Sequence, residues 1–261
     1  MYAAAITLSS DSISLIEHLY TLQNSRTCRI ETPEGSVMVK GQRPARDRAR
    51  FWILNQLSKF LKNPMMKPIP LHGGTRSQSV EVQRLRALAA AGVSVPRVLY
   101  ETEQYFVMQA FDAIPLDSRL ALPSHQSTPA FERGLDGISV VHGHGACLSQ
   151  GFARNILINN DGGVWFVDHE DNPLEVLTLT EAQARDWLLY LHSAVWLNPE
   201  LWGEWRPIWS NVFRHLPDDV RGRILSSTLS LRWLRHLPQN RAIFGRDLLQ
   251  VKAVVEFFES L

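Results

Sequence analysis

The first hundred positions contain the main strand-forming runs, and apolar residues at helical spacing dominate after Gln109. Thr27–Thr32 and residues 36–40 flank Pro33-Glu34-Gly35, which predicts a β-hairpin. Over residues 46–61 the apolar positions Phe51, Leu54, Leu57, Phe60 and Leu61 predict a helix. The stretch KNPMMKPIPLHGG breaks it. Thr75-Arg76-Ser77-Gln78 then reads as a capping box opening a second helix, which runs through VEVQRLRALAAA and stops at Gly92. Two more strands are expected around residues 97–101 and Tyr105–Gln109.

Past Gln109 the pattern is helical with one interruption. Thr128 as N-cap and Pro129 at the first helical position open a helix ending near His142. Residues 155–159 and 164–167 flank Asn160-Asp161-Gly162-Gly163, a hairpin signal. Thr178-Leu179-Thr180-Glu181 is a second capping box, opening a helix that contains DWLLYLHSAVWL. Helices are also expected over 220–237 and 246–259. Seven of the eight tryptophans lie at or after Trp165, so the larger core belongs to the second half. The sum is an α+β chain: a small β-rich lobe over residues 1–110, then a larger, mainly helical lobe over 111–261.

Composition narrows the function classes. The 261 residues are 45% hydrophobic and 20% charged, which excludes a disordered or fibrous chain. Lys plus Arg number 27 against 26 acids, so bulk charge gives no reason to expect a nucleic acid partner. Cys28 and Cys147 are too few for a disulfide framework and fit a reducing compartment. The start of the chain carries Asp11 and Glu17 and no basic segment, unlike a signal peptide. The longest apolar stretch, 187–197, contains His192 and falls short of the ~20 residues of a membrane span. A soluble, cytoplasmic protein without a transmembrane segment is the expectation.

Candidate chemistry centres on the second hairpin. A turn centred between Asp161 and Gly162 sets Asn155 opposite Asp168, at its open end. Directly opposed residues have Cα atoms ~5 Å apart, so carboxamide and carboxylate oxygens there suit Mg²⁺. The bland alternative is that Asp168 caps the next turn and Asn155 ends a strand. Lys40, at the end of VMVK, can reach phosphate as a point charge, or be solvated beside Arg43, Arg46, Arg48 and Arg50. Glu81 shares a helix face with Leu85 and Leu88, and a carboxylate there needs a partner. Lys40, Arg84 or an exposed helix edge each answers that need.

VHGHGACLSQGFARNILI followed by VWFVDHED resembles the catalytic and metal-binding segments of the protein-kinase-like superfamily, and most closely small bacterial lipopolysaccharide-kinase-like proteins. The resemblance covers roughly residues 27–197. It implies a bilobal protein-kinase-like fold and ATP-dependent phosphoryl transfer, with ATP and Mg²⁺ as cofactors. Lys40 then matches the nucleotide lysine, Glu81 its helix partner, and Asp186 the aspartate that braces the catalytic loop. Asn155 and Asp168 match the metal ligands, and Gln109 stands at the end of the strand leading to the nucleotide hinge.

Three departures from the family pattern shape the expectation. The catalytic-loop triplet reads Leu148-Ser149-Gln150, so Gln150 stands where the catalytic Asp belongs, and Asp171 is the candidate substitute base. No Gly-rich phosphate loop precedes Lys40, and DFG becomes Asp168-His169-Glu170 with no long activation loop after it. The alternatives are a pseudokinase or nucleotide-binding scaffold, and nucleotidyl transfer on the same fold. Carbohydrate, lipid, small molecule and protein are all open as acceptor. Other readings are weaker: a nucleophile elbow at Cys147-Leu148-Ser149-Gln150-Gly151, and zinc on His142, His144, His169, Glu170 and Asp171.

Overall fold

Strand alternation decides which way Lys40 points. β1 (Thr27–Thr32) and β2 (Gly35–Gly41) form the expected hairpin, with Thr32 already opposite Gly35, so the turn is only Pro33-Glu34. β4 (Tyr105–Gln109) and β3 (Val98–Glu101) complete an antiparallel sheet in the order β1-β2-β4-β3. Val37, Val39 and Val107 lie on one face and join Ile30 and Ile16 in a small core. Ile16 belongs to α1 (Ser10–Leu22), which the pattern above did not assign. Its signal is the cap: Ser9 Oγ accepts from the Ser12 N–H at 3.2 Å. Lys40 sits opposite Phe106 in the register, on the other face, where Phe106 packs in the main core with Leu85 and Leu88.

These coordinates come from a computed structural model that describes residues 7–23, 25–43, 67–70, 72–236, 238 and 241–259. The helix expected over 46–61, and the arginines that follow Arg43 there, lie outside the described residues. α2 (Gly74–Ala90) packs under the sheet and buries Gln78, Glu81, Val82, Leu85 and Leu88 along one face. The expected capping box does not form: Gly73 is the N-cap, and Thr75 Oγ1 accepts instead from Gln42 Nε2 at 3.1 Å. The helix stops as expected, at Gly92, whose φ of +85° is a left-handed conformation that favours glycine.

The second lobe comprises β5 (Ala113–Pro115), α3 (Leu116–Leu120), α4 (Ser124–Gly143), β6 (Ile156–Asn159), β7 (Val164–Phe166), α5 (Leu179–Ala194), α6 (Trp202–His215), α7 (Asp218–Ser230) and α8 (Arg241–Phe258). α4 begins a turn earlier than Thr128 and carries Pro129 inside it, a correction to the expected start. Packing explains the extra turn. Ser124 Oγ and Thr128 Oγ1 each donate to Glu204 Oε2 at 2.7 Å, and Trp205 Nε1 donates to Thr128 Oγ1 at 3.2 Å. α6 also escaped the sequence pattern, because Pro207 lies inside it. It is held by buried Trp205 and Trp209, with Trp205 stacked 4.5 Å from Phe131. Fully burying a large apolar side chain is worth ~1.5–3 kcal/mol, so the two tryptophans together offset the ~3 kcal/mol that a proline costs inside a helix. The capping box at Thr178 forms in both directions. α7 ends at Ser230 and a short 3-10 turn follows, so the expected helix to 237 is two elements. No helix among the described residues is long and apolar enough to cross a membrane.

Candidate active site

Lys40 is the point where the two lobes meet electrically. Its Nζ lies 2.7 Å from Glu81 Oε1 on α2, 3.0 Å from Glu170 Oε1 and 3.4 Å from Asp168 Oδ1 in the segment after β7. Burial pulls the ammonium pKa down, but the carboxylates of Glu81, Asp168 and Glu170 outweigh it and leave it raised. Of the partners open to Glu81, the fold selects Lys40. Arg84, one turn along, points elsewhere and donates to the Cys147 carbonyl at 2.6 Å.

The second hairpin is off the expected register by one residue. Ile156 pairs with Phe166, Leu157 with Trp165 and Ile158 with Val164. Asn155 therefore faces Val167, whose N–H donates to the Asn155 carbonyl at 3.0 Å, and not Asp168. The cause is the turn, a three-residue loop of Asn160, Asp161 and Gly162 closed by the Asn159 N–H on the Gly163 carbonyl. Gly162 supplies the left-handed residue at φ +80° that such loops need. Asp168 comes one residue beyond the pair and has φ +65°, the left-handed conformation that Asp tolerates better than most residues. That twist directs its carboxylate toward Lys40.

The next three residues divide between interior and cleft. His169 is buried with Nε2 3.3 Å from the Phe166 carbonyl, and burial lowers its pKa to about 3, so the ring is neutral. Glu170 meets Lys40, Arg26 Nη2 at 2.5 Å, and Arg43 Nη1. Burial alone would raise the Glu170 carboxyl; Lys40 and Arg26 outweigh it and hold it at about 2. Asp171 is buried, and desolvation raises its carboxyl to about 7 despite the opposing Arg185 guanidinium. Its Oδ1 is buried without a hydrogen-bond partner among the described residues.

The loop from Ala146 to Gln150 is pinned at three backbone atoms and one side-chain hydroxyl. Gln183 Nε2 donates to the Ala146 carbonyl at 3.0 Å, and the Leu148 N–H donates to Asp186 Oδ2 at 2.7 Å. Ser149 Oγ donates to the Asp171 carbonyl at 2.6 Å, and Asn155 Nδ2 to the Gln150 carbonyl at 3.1 Å. Asp186 also lies 3.0 Å from His142 Nε2, so both brace the loop from below. Gly151 passes so close to α5 that a Cβ would lie 3.0 Å from the Asp186 carbonyl oxygen. The Gln150 side chain is half-buried at the top of this loop.

Several sequence candidates separate from this group. Gln109 ends β4 opposite Val37, half-buried, with its N–H on the Arg97 carbonyl at 2.9 Å. Ser149 is buried and committed to Asp171, and burial pushes the Cys147 thiol up to about 12, so neither behaves as an elbow nucleophile. No three of the His, Cys, Asp and Glu side chains form a metal-holding group among the described residues, which removes the zinc reading. Conversely, Arg26 and Gln183 carried no signal in the sequence, because their partners lie 144 and 37 residues away.

No family model and no curated protein sequence matches the chain. Among solved structures it is similar to an aminoglycoside-3'-phosphotransferase of type VIII, at 12% identity and a TM-score of 0.42, over 93% of this chain and 98% of that one. It is also similar to a MAP kinase from Leishmania major, at 13% identity and a TM-score of 0.38, over 94% of this chain and 87% of that one. The sheet lobe with α2 beneath it, joined to the larger helical lobe, is a bilobal α+β fold.

Proposed function

We propose that the chain is a kinase-type phosphotransferase that uses ATP and Mg²⁺. The observation that carries this reading is the meeting of Lys40, Glu81 and Asp168 from three separate elements. A buried ammonium fixed by one carboxylate and shared with a second, partly exposed one is suited to a phosphate chain with its metal. A carboxamide and a carboxylate are oxygen donors of the type Mg²⁺ takes. Asn155 ties its amide nitrogen to the Gln150 carbonyl, which directs its oxygen away from that carbonyl, and the Asp168 carboxylate is 30% exposed. Asn155 and Asp168 would hold Mg²⁺, which supplies charge neutralisation on the transferred group. Lys40 would orient the phosphates, and Glu81 would hold Lys40.

The acceptor side rests on Gln150 and Asp171. An amide is no base, yet the Gln150 carbonyl oxygen can accept a hydrogen bond from an acceptor hydroxyl. Asp171, raised to about 7, has the proton affinity of a base near neutral pH. Phosphoryl transfer depends mainly on positioning and charge, so a missing base, typically worth ~10²–10⁴-fold, slows the reaction without abolishing it. The second reading, a pseudokinase, is favoured by Gln150 itself.

Transfer of labelled γ-phosphate to a panel of carbohydrate, lipid, small-molecule and protein acceptors tests the proposal. Slow transfer is expected from the wild type, with Asp168→Ala far more damaging than Gln150→Ala. Binding of Mg²⁺–ATP without turnover, restored by Gln150→Asp, would establish the pseudokinase instead.

A further inference from the structure

Three cations converge on Glu170, and one of them, Lys40, is shared with Glu81 and Asp168. Arg26 reaches its Oε1 at 2.5 Å, Lys40 reaches the same oxygen at 3.0 Å, and Arg43 takes Oε2. The two arginines flank the β1–β2 hairpin, and each is set by backbone hydrogen bonds. The Gly41 N–H donates to the Arg26 carbonyl at 2.7 Å, and Arg26 Nε donates back to the Gly41 carbonyl at 3.1 Å. The Gly74 N–H donates to the Arg43 carbonyl at 2.8 Å. A Cβ on Gly41 would lie 1.9 Å from the Tyr20 hydroxyl, so a side chain there would displace the Tyr20 ring. The Arg26 guanidinium and the Lys40 ammonium thus each have an anchor besides Glu170, the Gly41 carbonyl and Glu81, while for Arg43 the fold fixes the backbone.

The same hairpin lacks the backbone that would wrap phosphates. Its turn is Pro33-Glu34, and the Glu34 carboxylate is occupied by α1, accepting from Ser12 Oγ at 2.5 Å and the Ser9 N–H at 3.2 Å. An anion entering beside Lys40 would be met by side chains, and guanidinium forks suit phosphate and carboxylate oxygens alike.

We propose that Arg26 and Arg43, together with Lys40, form the binding site for the nucleotide's phosphate chain, and that Glu170 is an internal anion that fills this site until phosphate displaces it. The inference rests on the phosphotransferase reading above. The Glu170 carboxylate marks where a phosphate oxygen would sit, within 3.0 Å of Lys40 and 2.5 Å of Arg26. Competition from Glu170 lowers apparent affinity by the fraction of time the cations are free. A carboxylate resident nine-tenths of the time therefore weakens binding roughly tenfold.

Calorimetric titration with ATP, inorganic tripolyphosphate and adenosine, on the full chain, tests this. Glu170→Gln should tighten ATP and tripolyphosphate at least about tenfold while leaving adenosine unchanged. Arg26→Gln and Arg43→Gln, which keep length and polarity, should each weaken both phosphate ligands about tenfold in the wild-type background. If Glu170→Gln does not fold, the arginine variants decide alone: unchanged or tighter tripolyphosphate binding would show that they only clamp Glu170. If wild type binds Mg²⁺–ATP through Lys40 but Glu170→Gln fails to tighten it, the internal anion is rejected and the phosphotransferase reading stands. If neither wild type nor Glu170→Gln binds ATP or tripolyphosphate, both fail. Binding by Glu170→Gln alone supports the displaced-anion site in its strongest form.

Discussion

The backbone N–H of Leu148 donates to the carboxylate of Asp186 over 2.7 Å, in a site where Asp186 is almost wholly buried. A helix on one side of the loop thereby fixes the residue two places before Gln150. Asp186→Ala leaves that N–H and the His142 ring without their acceptor. Unpaired buried groups cost about 1–3 kcal/mol each, so a clear drop in melting temperature is expected. Asp186→Asn retains one acceptor oxygen and should lose less. Thermal melts of the two variants check the ordering, and equal losses would deny the hydrogen bond its role.

Lys40 and Glu81 should behave as a coupled pair. Their atoms are 2.7 Å apart and both side chains are buried. Lys40→Met and Glu81→Gln are each expected to weaken nucleotide binding. The double variant should lose less than the sum by roughly 0.5–3 kcal/mol. A double-mutant cycle by calorimetry reads this directly, and strict additivity would remove the pair from the site.

Mg²⁺–ATP should raise stability in a way that depends on Asp168. At about 100 times the dissociation constant, a ligand adds ~2.7 kcal/mol. Asp168→Asn should abolish the Mg²⁺-dependent part of the melting shift and leave the ligand-free melt near that of wild type. A shift that persists in full would place the metal on other groups.

Asp171 should give the fold a pH dependence. Its carboxyl is raised from 3.8 to about 7, first by burial, so the folded chain keeps a proton that the unfolded chain releases. That contribution to stability is fully present below pH 3.8 and is lost as pH rises through about 7. At ~1.36 kcal/mol per pKa unit, the change is on the order of a few kcal/mol. Asp171→Asn, which cannot titrate, should flatten this part of the denaturation profile between pH 4 and 7 (about that window). An unchanged slope would exclude Asp171 as its source.

Local chemistry wrote much of the fold into the chain. The β1–β2 hairpin, the strand Tyr105–Gln109, the capping box at Thr178 and the stop at Gly92 all depend on neighbouring residues, and all appear where the pattern puts them. The inward placement of Glu81 followed from helix periodicity in the same way. What local pattern could not decide was anything set by distant partners. α4 gained a turn because Glu204, about eighty residues on, binds Ser124. The second hairpin slipped by one residue because Gly162 closes a three-residue loop, and composition alone does not distinguish that from a tighter turn.

The candidate site divides along the same line. Lys40, Glu81, Asn155 and Asp168 were named from strand ends, helix faces and motif spacing. The meeting of Glu81 and Asp168 on the Lys40 ammonium, the arginines around Glu170 and the raised carboxyl of Asp171 were decided only by tertiary structure. Charge interactions act through space between segments more than a hundred residues apart, as Arg26 and Glu170 are. Burial, which sets their strength, is a property of the packed chain and of no single stretch of it.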